Sequence, residues 1–378
     1  MLFNSFEFAL FFSVVFFIYW GILSKNYKTQ NLFLIISSYF FYSWWDWRFL
    51  SLIIFSSFSD FIIAHKIDKS TDKQKKIYYL KLSIILNIGL LAFFKYFNFF
   101  IDNFIIALAS IGLQTNSSTI KIILPIGISF YSFQTLSYTI DVYKNKIKPT
   151  NDIMAFFAFV SFFPQLVSGP IERARNLLPQ FCKKRKFVIE MSSDGVRQIL
   201  LGLFKKIVIA DNCAIHVEDI FDNFSEYSGV RLLLGAIFFA FQIYCDFSGY
   251  SDIAIGTAKL LGFSLMQNFS FPYFSRNIGE FWTRWHISLS TWFRDYLFIP
   301  LGGSKSGKWL SLRNIFIVFL VSGFWHGPNW TFIAWGFVHS IFYAIYSMKS
   351  EKNIYKNKML CAEGLIPSIK EIFQMGIT

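Results

Sequence analysis

Cysteine is scarce. Four occur in 378 residues, Cys182, Cys213, Cys245 and Cys361, and no two have a paired spacing. A disulfide framework and a zinc site therefore have no support in the sequence. Acidic residues are also few, 23 against 36 lysines and arginines, for a formal charge of +13. In a soluble protein that surplus points to nucleic acid. Here the basic residues gather between apolar runs, as cytoplasmic loops do, so membrane topology accounts for them. No P-loop, dinucleotide glycine motif or nucleophile elbow occurs. No internal repeat supports an inverted-repeat transporter. No linker or second soluble domain interrupts the chain. The first apolar run, from about Phe6, has neither a basic stretch before it nor a small-residue cleavage site after it. It reads as a retained helix, not a leader.

Apolar surface is abundant. Hydrophobic residues make up 54% of the chain, and phenylalanine alone contributes 50 residues, far more than a soluble core of this length needs. A bilayer takes about 20 residues per helix, and the apolar runs reach that length. The chain reads as an all-α polytopic membrane protein. Spans are expected near residues 6–23, 31–46, 48–64, 79–97, 121–142, 152–169, 196–213, 230–262, 312–325 and 330–347. The run at 230–262 is a candidate for a break, and a shorter run at 99–113 is a candidate for the interface. Helices are the expected element because every backbone group in lipid must pair within its own segment.

Four basic loops set the orientation. They are Lys25 with Lys28, "HKIDKSTDKQKKIYYLK", "YKNKIK" and "ERARNLLPQFCKKRK". Placing all four in the cytoplasm puts the N-terminus outside. It also requires 152–169 to turn back or re-enter, and "FFPQLVSGP" has the proline and glycine to break a helix there. "WWDW" at 44–47 suits an outer interfacial belt.

Three polar stretches interrupt the apolar background. "IYCDFSGYSDIAIG" places Asp246 and Asp252 among Ser248, Tyr250 and Ser251; polar packing and contact with substrate both remain open. "RNIGEFWTRWHISLSTWFRDYLFIPLGG" is amphipathic and basic. At helical spacing Glu280 can pair with Arg284, Arg284 with Ser288, and His286 with Ser290. It suits either an interfacial helix or the wall of a substrate entrance. "SGFWHGPNW" sets His326 between Gly323, Gly327 and Pro328, where a helix can break beside a pocket. A histidine there can take and return a proton near neutral pH. It can equally be a buried neutral imidazole on a carbonyl. His339 is a further candidate, while His65 and His216 look like loop or helix-end residues. "GFWHG" offers no serine or cysteine nucleophile, which favours a histidine base without a covalent enzyme intermediate.

With "LPIGISFYSFQTLSYTIDVY", "FFPQLVSGPIERARNLLPQF" and "DFSGYSDIAIG", the last two of these stretches carry a resemblance. The chain resembles the membrane-bound O-acyltransferase family, in its bacterial alginate O-acetylation branch, from the N-terminus to about residue 347. The related D-alanine transfer proteins share the architecture, and "FIPLGG" favours the polysaccharide branch. The resemblance implies a multi-helix ring around a transmembrane tunnel, with about 9–11 spanning or re-entrant helices here. It implies His326 as general base and His286 as the second motif residue. Candidates for the tunnel wall are Asp246, Ser248, Tyr250, Asp252, Arg284, Trp285, Arg294, Asp295, Trp325 and Asn329. The implied reaction moves an acyl group, acetyl first, from a cytoplasmic thioester to an extracytoplasmic polysaccharide hydroxyl. Acetyl-CoA or another acyl thioester is the donor substrate. No tightly bound cofactor, metal or nucleic acid is expected. An SGNH-type acyltransferase outside, the polymer and membrane lipid are the expected partners. The location implied is the bacterial inner membrane. Residues 1–348 are expected to form the family's membrane domain, with a polar tail over 349–378 in place of the family's further helices. A transporter for an acyl carrier or lipid, and a scaffold for a secreted acyltransferase, are the competing readings.

Overall fold

The computed structural model describes residues 1–113, 121–305 and 307–349, with Glu371, Gln374 and Met375. The expected polar tail thus lies almost wholly outside the described residues. Among those described, regular structure is helical and no strand occurs. Five helical stretches are long and apolar enough to cross a membrane: Tyr27–Lys69, Lys73–Ser110, Gly229–Leu260, Lys308–His326 and Trp330–Met348. Phe6–Ile22 is apolar but shorter. Large apolar side chains such as Phe100, Phe104 and Ile106 are more than half exposed. That surface suits lipid, where the helical backbone satisfies its own polar groups.

Two compact units divide the chain, Met1–Asn87 with Ile126–Gln267, and Ile88–Pro125 with Asn268–Thr378. Phenylalanine builds the core of the first. Phe162, Phe163, Phe181 and Phe263 are fully buried, and the Phe263 ring lies 4.7 Å from Phe162 and 4.5 Å from Phe181. Arg185 covers this cluster, its guanidinium 5.0 Å from the Phe263 centroid and donating to Asn31 Oδ1 at 2.9 Å. Asp60 is fully buried. Its carboxylate accepts from Ser83 at 2.6 Å and from Asn87 at 2.7 Å, so neither oxygen is left without a donor.

The candidate break in 230–262 is not found: Gly229–Leu260 is one continuous helix. Its glycines serve close packing, and they do not interrupt the helix. A Cβ on Gly249 would sit 2.8 Å from the Gly202 carbonyl oxygen, and one on Gly256 would sit 2.5 Å from that of Gly195. Small residues let two backbones approach in this way. The acids that looked disruptive are neutralised sideways. Asp252 pairs with Lys205 at 2.6 Å and accepts from Gln198 at 3.0 Å, and Asp246 pairs with Lys206 at 2.6 Å.

Other boundaries also move. The helix expected from 121 begins at Ile128, because Pro125 and Gly127 precede it and Gly127 takes a left-handed φ of 78°. The stretch 152–169 is broken at Phe162 into Ile153–Ser161 and Phe163–Leu166, with Pro164 in the first turn of the second piece. The run at 99–113 continues the helix before it through a wide turn at Ala92–Tyr96.

After that broken segment comes Glu172, 1% exposed, which accepts from the Met266 backbone N–H. Burial pushes its carboxyl up to about 7. An acid whose folded pKa is raised stabilises the fold below its unfolded value, near 4.5, and loses that contribution as pH rises through about 7. In detergent, the melting temperature is therefore expected to fall between these values, by the equivalent of a few kcal/mol. Glu172→Gln is expected to flatten this dependence; an unchanged slope would show that Glu172 is not its source.

Candidate functional site

The second unit holds both candidate histidines. Asn277 caps the short helix Ile278–Arg284 by accepting from the Glu280 N–H at 2.8 Å. The Glu280 carboxylate joins Arg284 at 2.6 Å and Arg276 at 3.0 Å, so the pairing expected between Glu280 and Arg284 is present. The helix then stops. Trp285 is extended, and His286 takes a left-handed φ of 42° before Ile287–Phe293 resumes. This break separates Arg284 from Ser288, whose hydroxyl donates to Asn268 Oδ1 at 2.9 Å. It also separates the His286 and Ser290 side chains; the Ser290 hydroxyl donates to the Trp285 carbonyl at 3.2 Å.

Asn268 holds the break in place. Its carbonyl oxygen accepts the Ile287 N–H at 2.8 Å. Its side-chain oxygen meets His286 Nδ1 at 3.0 Å and the Ser288 hydroxyl. The Ser288 backbone N–H, which can only donate, also points at it at 3.4 Å, which marks Oδ1 as the acceptor and assigns the imidazole proton to Nδ1, with the basic lone pair on Nε2. A non-glycine residue at positive φ is strained, and such strain persists only where its surroundings over-determine it. The Asn268 contacts do that here.

His326 is the last residue of Lys308–His326, and Gly327 beyond it is extended. The expected break at "WHGP" is therefore present. This helix packs tightly on Trp330–Lys349: a Cβ on Gly323 would lie 2.3 Å from the Phe332 carbonyl oxygen. Trp325 and Trp335 stand edge-on to the His326 ring at 5.1 and 5.2 Å, and Phe332 stacks at 6.5 Å. Trp325 is also 6.3 Å from His286, so one indole neighbours both imidazoles.

His286 and His326 line one cavity of about 480 Å³, together with Trp282, Trp285, Ser290, Arg294, Ser322 and Tyr343. Of the residues read as tunnel wall, Trp285 and Arg294 line it as well. Trp325 touches both histidine rings from beside it. Arg284 is held in the Glu280 ion pair, Asp295 pairs with Arg294 at 2.9 Å, and exposed Asn329 accepts from Thr331 at the start of the last helix. Asp246, Ser248, Tyr250 and Asp252 belong to the first unit. There the acids face lysines, and the Tyr250 hydroxyl donates to Asn4 at 3.3 Å. His339 packs on Trp282 and Trp335 and does not line the cavity. No cluster of three metal-binding side chains occurs among the described residues. Asn268 and Trp335 were not singled out by sequence reasoning; Trp282, expected with Trp285 and Trp292 to supply bulky surfaces, lines the cavity. For Asn268 no signal existed, because its partner lies 18 positions away.

This geometry places two imidazoles, each able to take a proton, on one cavity lined by aromatic rings. The model of the MBOAT, membrane-bound O-acyltransferase, family matches residues 41–348. A probable alginate O-acetylase AlgI of Pseudomonas syringae pv. tomato is 42% identical over 91% of this chain and 66% of its own length. A peptidoglycan O-acetyltransferase of Helicobacter pylori is 37% identical over 90% of this chain and 69% of its own. A teichoic acid D-alanyltransferase of Streptococcus thermophilus is 29% identical over 74% and 71%. The chain spans about two thirds of the length of the alginate O-acetylase relatives. On this match and these residues, the chain belongs to the membrane-bound O-acyltransferase family.

Proposed function

We propose that the chain moves an acyl group, acetyl first, from a cytoplasmic thioester across the membrane for O-acylation of an extracytoplasmic polysaccharide, with His326 as general base. The observation that carries this reading is the pair of histidines on one aromatic cavity, one at a helix end and the other oriented by Asn268. Relatives named for O-acetylation of alginate and peptidoglycan support the acyl group and the polymer class. The basic loops support a bacterial cytoplasmic membrane location with the N-terminus outside. An SGNH-type acyltransferase outside is the proposed partner that delivers the group to the polymer.

In the proposed step, the acceptor hydroxyl oxygen attacks the thioester carbonyl carbon. His326 removes the hydroxyl proton as the C–O bond forms. The C–S bond then breaks, and the proton passes from the imidazolium to the leaving thiolate. Base catalysis of this kind contributes about 10²- to 10⁴-fold, and the surrounding rings keep water from the thioester.

The test is reconstitution in sealed vesicles, with acetyl-CoA on one side and an acceptor glycan with the SGNH-type partner on the other. Thiol release coupled to ester formation on the glycan is expected. Acetyl accumulating across the membrane without any acceptor would replace the enzyme reading with transport.

A further inference from the structure

Lys95 occupies an unusual place. It lies within Lys73–Ser110, one of the stretches able to cross a membrane. A lysine within such a stretch needs a polar partner for its charge. It also sits in the wide turn Ala92–Tyr96, a geometry that recurs at functional sites. The Lys95 ammonium donates to the Trp325 carbonyl, and the Tyr96 hydroxyl donates to the Phe324 carbonyl at 2.7 Å. The same neighbours are held by their rings. The ammonium is 5.2 Å from the Trp325 centroid, and Tyr96 stacks on Phe324 at 4.1 Å.

The last four carbonyls of any helix lack a donor within it. In Lys308–His326, Phe324 and Trp325 are among them. Two successive side chains of the wide turn therefore cap two successive orphan carbonyls, immediately before His326. The cap also sets a positive charge at the negative end of the helix dipole. The two histidines differ in what holds them. His286 is fixed through its ring by Asn268. No ring nitrogen of His326 has a hydrogen-bond partner among the described residues, so this imidazole takes its position from its backbone and the flanking aromatics.

We infer that Lys95 and Tyr96 are positioning residues for His326: they lock the last helical turn and so aim the base. The inference rests on the proposed role of His326. It uses Lys95 as a cap and not as a donor-binding group, and the two uses separate experimentally.

Lys95→Met, Lys95→Arg and Tyr96→Phe are to be purified and assayed for acetyl transfer, with hydrogen exchange followed across 316–330. Lys95→Met and Tyr96→Phe are expected to lose about 10- to 100-fold in kcat, the scale of a misplaced catalytic group. Donor KM should be unchanged, and amides near 322–326 should exchange faster. Lys95→Arg should restore both readouts in part. Should Lys95→Met fail to accumulate, Tyr96→Phe, which removes one hydroxyl and little volume, decides the matter. Normal kcat and exchange would overturn the inference, as would a loss carried by donor KM with exchange unaltered. His326→Ala run alongside separates the two levels. If it is inactive while the cap variants are normal, only the capping role falls; if it is active, the base assignment itself falls.

Discussion

Alanine at position 326 is expected to lower acyl transfer by about 10²- to 10⁴-fold, with normal abundance in the membrane. The structural reason for normal abundance is as important as the chemical reason for the loss. His326 sits at a helix end on a cavity wall, its ring neighbours are aromatic, and its removal orphans no hydrogen-bond partner among the described residues. Its loss enlarges an existing space instead of opening a new void in packed protein, so the stability cost is small beside that of a filled core position. His326→Gln gives the matched control, keeping size and polarity while removing the base. Esterification of the acceptor and membrane abundance are the two quantities to measure. Full transfer by His326→Ala would take the residue out of the chemistry and favour a scaffold.

Asn268→Ala is expected to be nearly as damaging, at about 10²-fold in kcat. Asn268 and Ser288 are almost completely buried. Truncation removes the acceptor for both His286 Nδ1 and the Ser288 hydroxyl. Each buried donor left without a partner costs about 1–3 kcal/mol, so some stability will be lost too. Two comparisons separate this from lost orientation. Ser288→Ala removes one of the same hydrogen bonds and is expected to retain kcat. The double variant Asn268→Ala/His286→Ala should be no slower than the slower single variant, because the pair acts as one unit. Additive losses would mean that Asn268 acts independently of His286. In His286→Ala, a raised donor KM with kcat preserved would make His286 a gate for the donor.

The break at His326 was legible because its cause is local: Gly327 and Pro328 follow the histidine directly. The break at His286 was not. Nothing in "TRWHISL" forbids a continuous helix, and the left-handed histidine exists only because Asn268, far upstream, meets its ring and the next turn. For the same reason the pairing of Glu280 with Arg284 could be read, whereas that of Arg284 with Ser288 could not; the first lies within one helical piece and the second spans two. Asp246 and Asp252 read as an interruption because a lone carboxylate in an apolar run is costly. Their lysines come from another helical segment, which periodicity cannot show. Lys95 escaped notice on different grounds. A lysine close to the end of an apolar run is what topology alone would place there, and only the fold brings it to the Trp325 carbonyl.

The wide turn at Ala92–Tyr96 carries a consequence for chain length. Such a turn holds one more residue than an ordinary helical turn. Deleting a single residue there would let the stretch relax into a regular α-helix, with its own backbone hydrogen bonds kept. Because the wider turn absorbs the extra residue, its removal would leave the flanking helices in register and shift only the side chains of the turn itself. Lys95 and Tyr96 would then no longer meet the carbonyls ahead of His326. At this one turn, insertions and deletions are a harsher change than substitutions: the helix would survive the loss of a residue, and the site it serves would not.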